Sequence, residues 1–198
     1  MAVVMTSPSL DESTALSVAS LVAEAKSGDT RAFDALVIKF ERQVLRTAWR
    51  LLGNLEDAQD ASQDVFLRFY KYLGRFDEKR DLSPWLYRVT VNVCRDITKK
   101  RAKWGDVPLR EGYEEQIPDP EGAHSVTDGL DQRKIVSEGL KTLSEKERAA
   151  LVLRDIEGLS TREVARSLGS TEMTVRSHIS RARVKMKKYR DRVLGRQS

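Results

Sequence analysis

The chain is short of the residues from which most active sites and covalent staples are built. Its 198 residues include one cysteine, Cys94, and two histidines, His124 and His178. A single cysteine rules out an internal disulfide framework and a Cys-rich metal centre, and it fits a reducing compartment. The two histidines stand apart, with no metal-ligand cluster and no nucleophile elbow near either, so no constellation for hydrolysis or metal-assisted cleavage can be assembled. The sequence therefore reads as a non-enzyme that needs no cofactor or metal. Aromatic residues make up 7% of the chain, so any core is modest and aliphatic. No apolar run approaches the ~20 residues of a membrane span. The N-terminus has no basic stretch before an apolar run and is interrupted by Asp11 and Glu12, which is not a signal-peptide pattern. The expectation is a soluble, cytoplasmic protein with no membrane insertion.

What the chain has in quantity is charge, and the charge is segregated. Charged residues are 33% of the sequence with a net charge of +5, but from Arg176 onward nearly every charged side chain is basic. Arg88, Arg95, Lys99, Lys100, Arg101 and Lys103 form a second basic block. Between the two, Asp106 to Asp131 is acidic, with Arg110 its only Lys or Arg. Two basic surfaces on either side of an acidic connector suit a polyanion gripped at two points.

The periodicity is helical throughout; strand-like alternation never lasts more than two or three residues, and there is no internal repeat. The fold class expected is all-α: two small helical domains joined by a flexible acidic linker. Residues 1–14, Ser/Thr-rich and without period, read as a mobile tail. The first domain, 15–103, holds a short helix from Leu16 to Lys26. A long one follows after an Asp29 or Thr30 cap, with Phe33, Leu36, Val37, Phe40, Val44 and Ala48 on one stripe. A third runs from Glu56 to Leu73, with Ala58, Ala61, Val65 and Phe69 inward and Asp57, Asp60 and Asp64 at its start. Ser83 followed by Pro84 predicts the start of a fourth helix. There Leu86, Val89, Val93 and Ile97 line one side, and Arg88, Asn92, Arg95 and Lys99 the other. An asparagine among cations on one stripe suits contacts to bases and phosphates together. Trp85 faces the apolar arc and reads as core, and Cys94 as an inert small hydrophobe. Residues 104–129, with Pro108, Pro118 and Pro120, read as the linker. The second domain, 130–194, opens with a helix to Leu140. Ser144 with Glu147 makes a capping box for the next helix.

The most telling stretch is Ser160 to Lys188. Ser160 and Glu163 form another capping box, Gly169 supplies a left-handed C-cap, and Ser170 or Thr171 can cap the helix that follows. In that helix Val175, Ile179, Ala182 and Met186 share a face, while Ser177, Arg181 and Lys188 point away from it. An apolar face backed by an Arg/Ser face after a short glycine turn is the pattern of a helix-turn-helix recognition helix.

Two segments resemble one family, the extracytoplasmic-function sigma factors of bacterial RNA polymerase. DAQDASQDVFLRFYKYL (Asp57 to Leu73) and SPWLYRVTVNVCRDITKKR (Ser83 to Arg101) are similar to its regions 2.2 and 2.3–2.4. LKTLSEKERAALVLRDIEGLSTREVARSLGSTEMTVRSHISRARVKMK is similar to its region 4. The resemblance implies an alternative sigma factor whose partners are core RNA polymerase, through its clamp helices and flap, promoter DNA, and an anti-sigma factor. It implies that Asp60, Gln63, Asp64 and Leu67 dock on the polymerase. It places Arg88, Asn92, Arg95, Lys99 and Lys100 at the −10 element, where a flipped base is pocketed. At the −35 element it places Arg154, Thr174, Arg176, Ser177, His178 and Arg181. The linker is implied to thread toward the polymerase active centre, with its acidic run Glu111 to Glu121 mimicking nucleic acid. Met173 stands where the family usually has glycine and His178 where arginine is common, so the −35 preference is expected to be this chain's own. The competing reading is a helix-turn-helix regulator that acts without polymerase, which leaves the first domain and its Asp-rich helix unused.

Overall fold

The computed structural model describes residues 10–104 and 128–195, and among these every regular element is helical. The expected linker, apart from its two ends, and residues 1–9 of the expected tail lie outside the described residues.

Helix α1 spans Leu10–Lys26. It begins six residues before the expected Leu16, taking in the last part of the expected tail. Asp11 and Glu12 sit in its first turn, where negative charge suits the helix dipole. Helix α2, Thr30–Leu52, starts at Asp29, whose carboxylate accepts the Arg31 and Ala32 backbone N–H groups, and stops at Gly53 in the left-handed conformation, φ 73°. Asn54 accepts the Asp57 N–H to open α3, Leu55–Tyr72. A single 3₁₀ turn, Leu73–Arg75, leads away from it.

Helix α4, Leu82–Trp104, starts one residue ahead of the expected Ser83 cap. The cap is Asp81, whose carboxylate accepts the Ser83 N–H at 3.0 Å, because an Asx side chain two residues upstream satisfies the orphan donor as well as a serine would. Leu36, Val44, Val65, Phe69, Leu82, Leu86 and Val93 are almost fully buried where α1–α4 meet. Phe33, Phe69, Phe76 and Trp85 form an aromatic cluster within this core, with Phe69–Trp85 centroids 5.4 Å apart.

In the second half, α5 is Asp128–Lys141 and α6 is Glu145–Leu151, opened by the expected capping box of Ser144 and Glu147. The expected continuation to Asp155 is present but not as α-helix: Val152–Ile156 form a π turn. Helix α7, Thr161–Leu168, has its Ser160/Glu163 box and ends at Gly169 with φ 59°. Thr171, not Ser170, caps α8, Glu172–Leu194. Val175, Ile179 and Ala182 are buried and Met186 half-buried, as their spacing predicts.

The two halves are in contact. Tyr87 and Val91 of α4 are buried in one cluster with Ala150, Leu153, Leu159, Val164, Ala165, Val175 and Ile179 of the second half. The alternation read on α4 captured the arc facing its own domain and missed this third face.

Candidate nucleic-acid interface

Three solvent-facing stripes carry the candidate residues. The first is on α4. Burial of Leu86, Val93 and Cys94 on one side and Tyr87 and Val91 on another leaves the remaining face to solvent. Arg88, Lys99 and Lys100 are exposed there, with Asn92 and Arg95 half-buried. Arg88 and Asn92 join Arg68, Tyr72, Trp85 and Val89 around a hollow of about 380 Å³. Arg95, Lys99 and Lys100 do not line the hollow and continue the basic stripe toward the C-terminus of α4.

The hollow contains residues that the sequence reading did not assign to it. Tyr72, 42% exposed, stacks on Trp85 with centroids 5.4 Å apart and planes at 16°. Trp85 therefore has two roles: one part of its ring packs against Phe69 and Phe76 as expected, and another floors the hollow. Arg68 donates to Asp64 at 2.9 Å and to Asp96 at 3.3 Å, which ties its guanidinium across α3 and α4. Its signal in the sequence was only that of a cation late in α3. The pairing with Asp96, twenty-eight residues on, depends on tertiary packing that periodicity does not reveal.

The second stripe is on the outer side of α3. Asp60, Gln63 and Leu67 are exposed, and Asp64 is half-buried by its pairing with Arg68. Leu67 is 58% and the neighbouring Tyr70 60% exposed, so the acidic start of α3 grades into an open apolar patch.

The third stripe is on α8. Arg176, Ser177 and Arg181 surround an open surface with Met173 and Ser180. Met173 is 77% exposed, the only apolar group among these donors. Thr174 is exposed and its hydroxyl lies 2.9 Å from that of Thr171, so it is engaged in the cap. Arg176 bonds Glu172 one turn back at 3.2 Å. His178 is half-buried, and Arg181 Nη2 lies 3.3 Å from its Nδ1. Burial, then the Arg181 charge, hold its pKa below the usual imidazole value, so the ring is neutral at pH 7. Arg154 is half-buried in the π turn, off the α8 stripe. The adjacent Asp155 accepts two bonds from Arg183 of α8, at 2.9 and 2.7 Å, so the π turn is fastened to the recognition helix.

Among the described residues there is no cluster of His, Cys, Asp and Glu able to hold a metal ion, and no helix is long and apolar enough to cross a membrane.

Comparison with known proteins accounts for both halves. Residues 36–104 match the family described as Sigma-70 region 2, and residues 133–186 match Sigma-70, region 4. The chain is 33% identical over 178 residues to the RNA polymerase sigma-H factor of Pseudomonas aeruginosa, covering 82% of this chain and 88% of that one. It is 34% identical to the ECF RNA polymerase sigma factor SigM of Mycobacterium tuberculosis, over 85% and 82% of the two chains. Among solved structures, CnrH in complex with the cytosolic domain of CnrY aligns over 88% of this chain and 97% of its own, with a TM-score of 0.65 and 27% identity. The chain belongs to the extracytoplasmic-function (ECF) sigma factors of RNA polymerase.

Proposed function

We propose that the three stripes divide the work of an alternative sigma factor, a protein that joins core RNA polymerase and directs it to promoters. The first domain, 15–103, binds the polymerase and the −10 element, and the second, 130–194, reads the −35 element. The observation that carries this is the separation of faces. Each of α4 and α8 buries its apolar residues and turns a polar, donor-rich stripe outward.

On α8 the donors Arg176, Ser177 and Arg181 suit the acceptor-rich edges of bases in a major groove, where one bidentate Arg–guanine pair gives about 1–3 kcal/mol of discrimination. Met173 supplies the apolar contact that a thymine methyl group takes. Thr174, His178 and Arg154 flank that contact, with Arg154 placed for a phosphate. On α4, Asn92 reads an unpaired base held in the hollow, and Arg88, Arg95, Lys99 and Lys100 hold phosphates. Stacking of the base on Tyr72 and Trp85 contributes about 1–3 kcal/mol, which offsets the cost of unstacking it. On α3, Asp60, Gln63, Asp64 and Leu67 dock on the clamp helices of the polymerase, the carboxylates matching a basic groove. The second domain meets the flap. Work on polymerase places the protein in the cytoplasm, and an anti-sigma factor is its regulatory partner.

The test is run-off transcription with core polymerase on a promoter library, comparing wild type with Asn92→Ala and Arg176→Ala. Arg176→Ala is expected to relax the −35 preference and Asn92→Ala to alter the −10 preference. Unchanged preference in both overturns the residue assignments, while failure to initiate with core polymerase overturns the function.

A further inference from the structure

The contact between the two halves is more than incidental packing, and Glu157 is its centre. Its carboxylate side chain is 9% exposed and takes three hydrogen bonds, all from the first half. Thr47 donates at 2.9 Å and Arg50 at 2.8 Å to one oxygen, and the Tyr87 hydroxyl donates at 2.8 Å to the other. Burial, then the Glu157 charge, push the Tyr87 phenol well above its usual pKa, so it stays a donor at any physiological pH. A second polar link runs the other way: Arg148 donates at 2.7 Å to the Leu51 carbonyl at the end of α2. Between these links the Tyr87 ring and Val91 are buried against Leu153, Leu159 and Val164. A carboxylate removed from water is stable only with such a full set of donors, so this surface is complete as it stands.

We infer that this is a self-closed form of the chain, latched by Glu157, which has to open before one molecule can engage both promoter elements. The inference rests on the function proposed above. The latch covers neither reading stripe, since Arg88, Arg176 and Arg181 stay exposed; it acts through distance. Helix α4 packs on α7 and α7 on α8, and packed helices lie about 8–10 Å apart, so the two reading helices are held roughly 20 Å from each other. Elements centred near −10 and −35 are about 25 base pairs apart, roughly 85 Å at 3.4 Å per base. The 23 residues from 105 to 127 can extend to about 75–85 Å, enough for the halves to separate once the latch is released. The chain alone is thus kept from binding promoters at both ends, and polymerase supplies the contacts that hold it open. A closed population lowers apparent affinity by the fraction that is open.

The test measures the distance between spin labels on Glu41→Cys and Lys187→Cys, both exposed positions, in the full chain. Cys94 can be kept, because burial pushes its thiol up to about 12 and it is inert to labelling. The free wild type is expected to give one narrow distribution, and adding core polymerase with promoter DNA to lengthen it. Glu157→Lys is expected to give a long, broad distribution without any partner. Tyr87→Phe, which removes one hydroxyl and leaves the packing, is expected to do so partially and to tighten apparent binding to core polymerase roughly three- to tenfold. The swapped pair Arg50→Glu with Glu157→Arg restores the narrow distribution. A free wild type already long and broad overturns the latch, as does a distance unchanged on adding polymerase and promoter. Failure to co-purify with polymerase strikes the functional reading instead, since the free-chain distances do not depend on it.

Discussion

Helices α4 and α8 invite comparison because each is 23 residues long and each carries one reading stripe. They are held in opposite ways. Helix α4 is gripped on two sides, by its own core through Leu86, Val93 and Cys94 and by the second half through Tyr87 and Val91. Its exposed stripe is what remains. Helix α8 is seated on one side through Val175, Ile179 and Ala182, and most of its circumference meets solvent. The shape of the α4 site is therefore set by packing behind it, whereas the α8 site is set by the side chains it displays. Variants beneath the surface should damage the first site, and variants on the surface should retune the second.

The largest expected effect breaks that symmetry from below. Phe69→Ala removes a fully buried ring that backs Trp85, and destabilises the first half by about 3–5 kcal/mol, read from chemical denaturation. Binding to −10 single strands should fall with it, while binding of the second half to −35 duplex stays within about twofold; equal loss of both would erase the contrast. Next, Arg176→Ala should cost about 1–3 kcal/mol of discrimination at one −35 base pair with no change in thermal stability, measured by competition among duplex variants.

A third prediction concerns acid. Lys185 donates to Glu147 at 2.7 Å and, with the Ser144 N–H and against the effect of burial, lowers its pKa from 4.5 to about 2. A depressed carboxyl stabilises the fold above its unfolded value and loses that contribution as pH falls, here from 4.5 toward about 2. The loss should be on the order of 1 kcal/mol, because Lys185 is half exposed and water screens the pair; Glu147→Gln should remove the slope. Asp57, paired with Arg101 at the far end of α4, behaves oppositely. Burial outweighs Arg101 and raises its pKa above 3.8, so its contribution grows as pH falls toward that value. Acid titration followed separately in the two halves should thus give slopes of opposite sign from these pairs. The smallest effect is at Met173. Replacing a contacted −35 thymine by uracil removes one methyl, worth about 0.8 kcal/mol, from wild type but not from Met173→Ala.

The same contrast explains what could be read from the sequence. Helix α8 was legible nearly to the residue, because a helix buried on one side writes its burial as one stripe and because capping residues mark its ends: Gly169 and Thr171 lie where local chemistry requires them. Helix α4 was legible only in part. Its inward arc was plain, but Tyr87 and Val91 interrupt no pattern that a single helix shows. Their burial exists only once a second domain lies against them. The hollow at Tyr72 and Trp85 was hidden for a related reason, since it joins α3 to α4 across a turn. Arg68 looked like a dipole partner until Asp96 came beside it. The Asp81 cap was missed because Ser83–Pro84 offered a start of equal local merit.

The π turn at Val152–Ile156 has a consequence for how this chain can vary. Such a turn accommodates one more residue than an α-helix of the same rise, and each residue of α-helix turns through about 100°. Deleting one residue there would restore an ordinary ladder and change the angular phase of all that follows. Glu157 would swing away from Thr47, Arg50 and Tyr87, and Asp155 from Arg183. The helix-turn-helix downstream, being built from its own caps, would keep its internal structure while its bearing on the first half changed. A single-residue deletion is thus predicted to uncouple the halves without unfolding either.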